Sequence, residues 1–337
     1  MIISRTPFRV SFFGGGTDFP DFYEEHGGVA LATTIDRYCY VSLHKLSPFF
    51  KHRYRASYAR TESVVHPKEF EHPLVRECLL HHKTDFGLEI SHISDLPGRT
   101  GLGTSSAFTV GLLHALKGFF RERVTAEDLA REAIHIERER VKDAGGHQDQ
   151  YAVAYGGFLR LDFQPGRRVQ VNRLPLSADR LTYFESHILM FSTGLEQSAE
   201  ELLLEQTRNI GRNEGSLLEM KAMAYEAENM LVSGQDLDAF GRLIHESWLR
   251  KRSLSSGISN TTLDEYYDAA RRAGAVGGKL LGAGGRGFLL LWVPPERHAA
   301  VRSTFGELQE ISFRCCHHGS QIIFQDSESI HGLRTIQ

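Results

Sequence analysis

The sequence has few cysteines and no long hydrophobic run. Its four cysteines, at positions 39, 78, 315 and 316, lack the spacing of a zinc site, and the adjacent pair does not suggest a disulfide framework. We expect reduced, structural thiols. No stretch approaches the about 18 apolar residues of a membrane-spanning helix, and the apolar part of the N-terminus is too short for a secretory signal. These absences favour a soluble, cytoplasmic protein without a membrane partner.

Strong net charge is also absent. The chain has 42 acidic and 39 basic residues, a formal net charge of −3, and no run of like charges. This balance gives no overall field that would attract nucleic acid or an anionic membrane, so neither is expected as a partner. With 337 residues, of which 41% are hydrophobic, the chain can bury a sizeable core in one large or two ordinary domains.

The most informative stretch is rich in glycine and hydroxyl residues and covers residues 95–113, DLPGRTGLGTSSAFTVGLL. The spacing of its apolar residues predicts a helix over 106–120. The N–H groups and the positive dipole end at the start of such a helix attract phosphate. The stretch lacks the lysine of the Gly-x-x-x-x-Gly-Lys-Ser/Thr loop, which excludes that type of nucleotide site. Taken alone, an ordinary helix start is the alternative.

Two aspartates lie in glycine-rich bends. Asp18 ends GGGTD, directly after a predicted strand over 2–13, where it can accept hydrogen bonds from a ligand or act as a turn residue. Asp149 lies in DAGGHQDQY, at the junction between glycines and an apolar run. It is a candidate catalytic carboxylate, and it also suits the N-cap of a helix through 150–154. The two interpretations of Asp149 are compatible.

The remaining pattern predicts an α+β protein. Expected strands cover residues 29–35 and 38–43, joined by a turn at 36–37, and then 89–93, 157–163, 169–174, 187–192, 288–293, 311–314 and 321–324. Expected helices cover 125–140, 199–232 with a start at 198–201 and a break near 211–215, 236–250, 262–274 and 295–306, with a loop at 251–260. A change in composition at 175–180 indicates a domain boundary.

Three glycine-rich motifs, GGGTD, PGRTGLGTSSA and KLLGAGGRGF, occur in this order, with GHQDQY between the second and the third. Together they resemble the motifs of the galactokinase, homoserine kinase, mevalonate kinase and phosphomevalonate kinase (GHMP kinase) superfamily. RTPFRVSFFGGGTDFPDFY, GGHQDQYAVAYGG, KRSLSSGISN and GGKLLGAGGRGFLLLWVPPE most resemble D-glycero-D-manno-heptose 7-phosphate kinases. The resemblance implies an N-terminal domain over 1–178 like ribosomal protein S5 domain 2, a ferredoxin-like C-terminal domain over 179–337, and an active site between them.

The resemblance also implies roles for individual residues. Asp149 would be the catalytic carboxylate, and Arg9 the basic residue beside the reacting hydroxyl that favours the charged form of Asp149. Ser105 and Glu137 would hold Mg²⁺. Residues that would surround the ATP phosphates are Gly98, Thr100, Gly101, Leu102, Gly103, Thr104, Ser105 and Ser106. Residues that would bind the sugar are Gly16, Thr17, Asp18, Gly146, His147, Gln148, Arg252, Gly282, Ala283, Gly284 and Gly285.

Two residues depart from the common motifs. Thr104 replaces a serine and keeps the hydroxyl. Arg286 interrupts a run of glycines, and either brings a charge near the phosphates or points to solvent. Neither change removes an acid or a metal ligand.

The activity that the resemblance implies is ATP-dependent phosphorylation of the anomeric 1-hydroxyl of D-glycero-D-manno-heptose 7-phosphate, giving the 1,7-bisphosphate for nucleotide-activated heptose. A sugar phosphate needs a cationic pocket. Candidates are Arg252, Lys45 and the basic residues of 51–55, each of which could equally face solvent. The alternatives are a kinase for fucose or another free sugar, and a non-catalytic nucleotide- or sugar-binding regulator. The oligomeric state stays open.

Overall fold

The strands fall into two sheets in the computed structural model, which describes residues 1–84, 86–98, 100–194, 200–234, 236–306 and 308–326. In chain order the strands are β1 (Ile2–Phe13), β2 (Gly28–Lys45), β3 (Tyr54–Ser57), β4 (Thr61–Val64), β5 (Leu88–Ser94), β6 (Phe158–Gln164), β7 (Arg168–Arg173), β8 (Ile188–Ser192), β9 (Gly277–Leu280), β10 (Phe288–Trp292), β11 (Cys315–Cys316) and β12 (Gln321–Gln325).

Helices pack around both sheets. They are α1 (Pro20–His26), α2 (Pro73–His81), α3 (Thr104–Phe119), α4 (Ala126–Ile134), α5 (Gln148–Tyr155), α6 (Ala178–Ser186), α7 (Glu200–Arg208), α8 (Glu214–Val232), α9 (Asp238–Ser253), α10 (Thr261–Ala273) and α11 (His298–Phe305). The α+β class is confirmed. Within the part of the chain that the structure describes, no helix combines the length and the apolar character needed to cross a bilayer.

The larger sheet has the order β12-β1-β2-β5-β3-β4, with β6 and β11 also paired to β2 and β7 paired to β6. The smaller sheet is antiparallel, in the order β8-β10-β9. Because β12 pairs with β1, the end of the described chain returns to the sheet in which it began. The division of the chain at residue 178 stays a prediction.

The two strands expected over 29–35 and 38–43 are one strand, β2. It pairs with β1 along both halves, but the register shifts between Pro7, opposite Tyr38, and Phe8, opposite Ile35. The polar residues at 36–37 therefore form a bulge in a continuous strand and not the turn that the sequence predicted. The N–H of Asp36 donates to the carbonyl oxygen of Arg314, so the bulge has a partner far away in sequence.

Other differences are smaller. Helix α3 begins at Thr104, two residues before its predicted start, and His147 takes the N-cap position of α5 that was predicted for Asp149. Asn260 caps α10 in place of the predicted residue 262. Residues 311–314 are not a strand. The predicted helix start at 198–201 falls partly outside the described residues.

Aromatic side chains join the two sheets. Phe12 of β1 stacks on Phe158 of β6, with ring centroids 5.5 Å apart, and meets Phe184 of α6 and Phe240 of α9 edge to face. Phe184 and Phe240 also contact Trp292 of β10. Edge-to-face pairs of this kind add to the area they bury. The resulting core fixes the end of β1 against the smaller sheet, and the residues that follow β1 lie beside that junction.

Candidate active site

A cleft of about 830 Å³ lies where the two sheets meet. Its walls come from the end of β1, the loop before α3, the turn before α5, the end of α9 and the strand β9. The residues that line it include Arg9, Ser11, Asp18, Gly101, Gly103, Ser105, Ser106, Glu137, Gly146, Gln148, Asp149, Lys251, Lys279, Gly282 and Ala283.

The start of α3 forms an anion site on one wall. Its N-cap residue is Gly103, in the left-handed conformation with φ 70°, and no side chain caps the helix. The first intrahelical bond comes from Ala107 N to Gly103 O, so the N–H groups of Ser105 and Ser106 have no acceptor within the helix. Such N–H groups, together with the helix dipole, favour a phosphate at this position.

Two glycines let this loop approach its neighbours. A Cβ atom on Gly101, which has φ 76°, would lie 2.4 Å from the carbonyl oxygen of Leu281. A Cβ atom on Gly103 would lie 3.0 Å from Cγ of Arg9. The second glycine motif therefore rests directly on β1 and on the start of the third motif. A side chain at either position would push these elements apart.

Arg9 connects the loop to the candidate catalytic carboxylate. Its Nε and Nη2 donate to Oδ1 and Oδ2 of Asp149, both at 2.7 Å, and its Nη1 donates to the carbonyl oxygen of Gly101 at 2.6 Å. Bidentate pairs of this type fix the carboxylate plane as well as its position. The predicted neighbours Arg9 and Asp149 are thus in direct contact. Asp149 keeps partial access to the cleft, since 23% of its side chain is exposed.

A second carboxylate lies next to Asp149. Oδ1 of Asp18 accepts from Gly16 N at 3.0 Å, and its Oδ2 accepts from Gln148 N at 3.2 Å. Burial raises the pKa of Asp18, and the nearby charge of Asp149 acts in the same direction, whereas the two backbone N–H groups oppose both. The side chain of Gln148 is held in turn by Ser11, whose Oγ donates to Oε1 at 2.6 Å. The cleft therefore presents two adjacent carboxylates beside the anion site.

The buried side chain of Glu137 lies on the other side of the α3 N-terminus. It belongs to a π-helical turn, His135–Arg140, that continues α4, and turns of this type are frequent at functional sites. Its Oε2 accepts from Ser106 Oγ at 3.0 Å and from Gln150 Nε2 at 2.5 Å. Among the described residues its Oε1 is buried without a hydrogen-bond partner, since the nearby hydroxyl of Thr109 donates to the carbonyl oxygen of Ser105. Burial raises the pKa of Glu137, and Arg138 opposes this shift.

A divalent cation fits this carboxylate. A buried oxygen normally accepts a hydrogen bond or binds a cation. Carboxylate and hydroxyl oxygens are ligands that Mg²⁺ accepts. The hydroxyl that meets Glu137 belongs to Ser106, whereas Ser105, the predicted ligand, lines the cleft with an exposed side chain. In the described ranges no group of three or more His, Cys, Asp or Glu side chains could hold a metal.

Several predicted site residues lie behind the cleft wall. Thr17 is buried and donates to the carbonyl oxygens of Gly14 and Val29, which holds the turn. His147 contacts the hydroxyl of Tyr23 at 2.9 Å, and burial lowers the pKa of His147 to about 4. The cleft lining also does not include Gly98, Thr100, Leu102, Gly284 and Gly285.

The predicted phosphate-binding cations do not reach the cleft. Arg252 pairs with Asp264 at 3.0 Å, and neither Lys45 nor any residue of 51–55 lines the cavity. Arg286 is exposed and also lies outside the lining, which favours its solvent-facing interpretation. The cleft lining instead includes several cations that sequence reasoning missed, among them Lys251 and Lys279. A lysine within the apolar and glycine-rich run GGKLL is the signal that could have identified the latter.

Comparisons with known proteins find family models and relatives that match the sequence. The family model "GHMP kinases N terminal domain" matches residues 73–157, and "GHMP kinases C terminal" matches residues 223–308, together about half of the chain. A D-glycero-alpha-D-manno-heptose 7-phosphate kinase of Campylobacter jejuni is 29% identical over 330 residues, covering 93% of this chain and 96% of that protein. An L-fucokinase/L-fucose-1-P guanylyltransferase of Bacteroides fragilis is 29% identical over 64% of this chain and 23% of its own length.

Solved structures share the fold. The crystal structure of a D-glycero-D-manno-heptose 1-phosphate kinase from Bacteroides thetaiotaomicron superposes with a TM-score of 0.79 at 24% identity, covering 97% of this chain and all of that one. Lactococcus lactis galactokinase in complex with galactose superposes with a TM-score of 0.72 at 16% identity, covering 95% of this chain and 94% of that one. These likenesses confirm the expected two-domain architecture.

Proposed function

The chain belongs to the GHMP kinase family, and we propose that it transfers the γ-phosphoryl group of ATP to the anomeric 1-hydroxyl of D-glycero-D-manno-heptose 7-phosphate. The product is the 1,7-bisphosphate, an intermediate towards nucleotide-activated heptose. The relative from Campylobacter jejuni, which matches nearly end to end, supports this choice of sugar. The phosphoryl transfer itself is supported by the site.

One observation carries the proposal. Asp149 is held by Arg9, and the same guanidinium bonds to the loop that precedes the anion site at α3. A hydroxyl that contacts Asp149 is thereby placed next to a phosphate that contacts the first turn of α3. Phosphoryl transfer needs this juxtaposition more than it needs covalent chemistry by the protein, because its transition state mainly requires positioning and positive potential.

Each group has a role in the transfer. Asp149 orients the anomeric hydroxyl and accepts its proton, while Arg9 keeps the carboxylate in place. The N–H groups of Ser105 and Ser106 stabilise the negative charge that spreads over the transferred group. Asp18 and Gln148 accept hydrogen bonds from hydroxyls of the sugar. Gly146, Gly282 and Ala283 form the neighbouring surface of the acceptor side.

Mg²⁺ is the cation that we assign to Glu137 and Ser106. Gln150 holds the Glu137 carboxylate at Oε2, so that Oε1 is available for the metal. When bound, the ion supplies positive charge to the phosphates of ATP. We choose Ser106 over Ser105 because its hydroxyl already contacts the carboxylate.

The test is release of ADP from Mg-ATP, measured with a coupled assay against a panel of acceptors. The panel contains D-glycero-D-manno-heptose 7-phosphate, sedoheptulose 7-phosphate, mannose, fucose, galactose, homoserine and mevalonate. We expect turnover with the heptose phosphate alone. Turnover with a free sugar in its place would contradict the proposed substrate and retain the kinase, and the absence of turnover with every acceptor would favour a regulator that only binds.

A further inference from the structure

Lys279 has an unusual environment for a lysine. It lies on β9 and is 5% exposed. Its Nζ donates to the carbonyl oxygens of Ser11 and Phe12, both at 2.9 Å. Among the residues that the structure describes, no carboxylate lies within 4.0 Å of this ammonium group. Lys279 is nevertheless one of the residues that line the cleft.

A charge in this position is costly without an anion. Burying an ammonium group is unfavourable unless it is paired and fully hydrogen-bonded. Two carbonyl dipoles satisfy two of the three N–H donors, and the described part of the chain offers no acceptor to the third. Burial accordingly lowers the pKa of Lys279 well below its usual range, and the positive charges of Lys251 and Arg9 act in the same direction. An anion that enters from the cleft would compensate the buried positive charge and accept a hydrogen bond from the third N–H.

The position of Lys279 relates it to the reacting groups. It bonds to the carbonyl oxygen of Ser11, two residues after Arg9 on β1, and the hydroxyl of Ser11 bonds to Gln148 beside Asp149. Leu281 directly follows the strand that carries Lys279, and a Cβ atom on Gly101, in the loop before α3, would lie 2.4 Å from its carbonyl oxygen. Lys279 therefore lies between the acceptor side of the cleft and the loop before α3.

We infer that Lys279 contacts a phosphate group of the bound substrates through its remaining N–H. This inference rests on the kinase function proposed above, and it names a contact that the sequence motifs did not suggest. Two phosphates are the candidates for this contact, the γ-phosphoryl group of ATP and the 7-phosphate of the acceptor. Both offer the same chemistry, an anionic oxygen that accepts a charge-assisted hydrogen bond.

A purely structural role makes a different prediction. Lys279 could serve only to tie β9 to β1. Lys221 of α8 is a matched control, because its Nζ also donates to a main-chain carbonyl, that of His26 at 2.5 Å, and it lies outside the cleft lining. Lys279→Met and Lys221→Met each remove a lysine–carbonyl contact, but only the first removes a cation from the cleft.

Calorimetric titration of the full chain in the presence of Mg²⁺ separates the possibilities. Two ratios of affinity are measured, that of the non-hydrolysable analogue AMPPNP to ADP and that of the heptose 7-phosphate to free heptose. Lys279→Met should reduce one of these ratios by about 10- to 100-fold, as expected for a lost hydrogen bond to a charged group. A reduced preference for AMPPNP over ADP would show that Lys279 contacts the γ-phosphoryl group. A reduced preference for the heptose 7-phosphate over free heptose would show that it contacts the acceptor phosphate. Lys221→Met should leave both unchanged.

Unchanged ratios in a folded Lys279→Met variant would overturn the inference. If that variant does not fold, Lys279→Gln is titrated in its place, since an amide can still donate to the two carbonyls but carries no charge. Wild-type protein that prefers neither AMPPNP over ADP nor the phosphorylated sugar over the free one would instead overturn the proposed function, and the inference with it. The two failures are distinguished because the second appears before any variant is made.

Discussion

Replacing Asp149 by asparagine is the most direct test of the proposed chemistry. The amide keeps one oxygen that can accept from Arg9, but it loses the charge and the capacity to take a proton. The remaining anchor of Arg9, its bond to the carbonyl oxygen of Gly101, does not involve the substituted side chain. The loop before α3 should therefore keep its position. Asp149 makes no hydrogen bond to Ser106 or Glu137, so the site for Mg-ATP should also be retained.

The expected loss follows from the role of the carboxylate. A positioned general base contributes about 10²- to 10⁴-fold to a rate. We expect kcat of Asp149→Asn to fall by a factor in this range, which corresponds to about 3–5 kcal/mol in the activation barrier. Loss of the charged acceptor should also lower the free energy of unfolding by about 1–3 kcal/mol. The affinity for Mg-ATP should stay nearly unchanged.

The assay combines coupled ADP release with calorimetric titration of Mg-ATP and denaturant unfolding of each variant. Asp162→Asn is the matched control, because Asp162 accepts from Arg160 at 2.9 Å and from Tyr225 at 2.9 Å but lies on β6 outside the cleft. It should lose comparable stability and keep its turnover. Asp149→Asn with turnover within a few-fold of the wild type, and with the fold intact, would refute the role of Asp149.

Three further predictions concern the loop, the metal and pH. Gly101→Ala should lower the free energy of unfolding by about 1–3 kcal/mol, because φ is 76° and the added Cβ would meet the carbonyl oxygen of Leu281. Gly98→Ala is the control, since a Cβ there would have no atom within 4 Å and should leave the stability unchanged. Denaturant titration measures both effects. Ser106→Ala should raise the Mg²⁺ concentration for half-maximal activity by about 2- to 10-fold, and Ser105→Ala should not. Burial lowers the pKa of His147 to about 4 from about 6.5, so the unfolding free energy should fall by up to about 3 kcal/mol as pH drops through this window. His147→Asn should flatten that dependence in denaturant midpoints.

Local sequence predicted those elements whose partners lie nearby in the chain. Alternation of side chains identified β1, and the glycine-rich loop followed by apolar helical spacing identified α3 to within two residues of its start. The long strand β2 was predicted as two strands because its polar pair at 36–37 resembles a turn. What keeps the strand continuous there is a hydrogen bond from Asp36 N to Arg314 O and a matching one from Arg314 N to the Asp36 carboxylate, contacts that cross most of the chain.

The choice between two adjacent serines shows a second limit. Successive residues of a helix point about 100° apart, so a change in where α3 starts decides whether Ser105 or Ser106 faces Glu137. The direction of Glu137 itself depends on a π-helical turn, which widens the helix locally and which no sequence pattern indicated. The types of residue at the metal site could be predicted, but their pairing required the backbone.

The sequence did not identify Lys279 as a site residue because the glycines at the start of its strand are not typical of a strand. Gly277 and Gly278 open β9, and glycine is normally depleted in strands. The structure explains the first of them, since a Cβ on Gly277 would lie 1.9 Å from the carbonyl oxygen of Gly241 in α9. Close packing of helix on strand, and not turn formation, thus accounts for a glycine that directly precedes the third motif.

Arg9 links the three glycine motifs. Its backbone N–H donates to Leu102 O in the second motif, its side chain donates to Gly101 O in the same loop, and the chain runs on from it through β1 into the first motif. Gly101 in turn abuts Leu281 of the third. Because the guanidinium that sets the loop also orients Asp149, the phosphate site and the acceptor carboxylate cannot move independently. A displacement of either one is transmitted to the other through a single buried side chain.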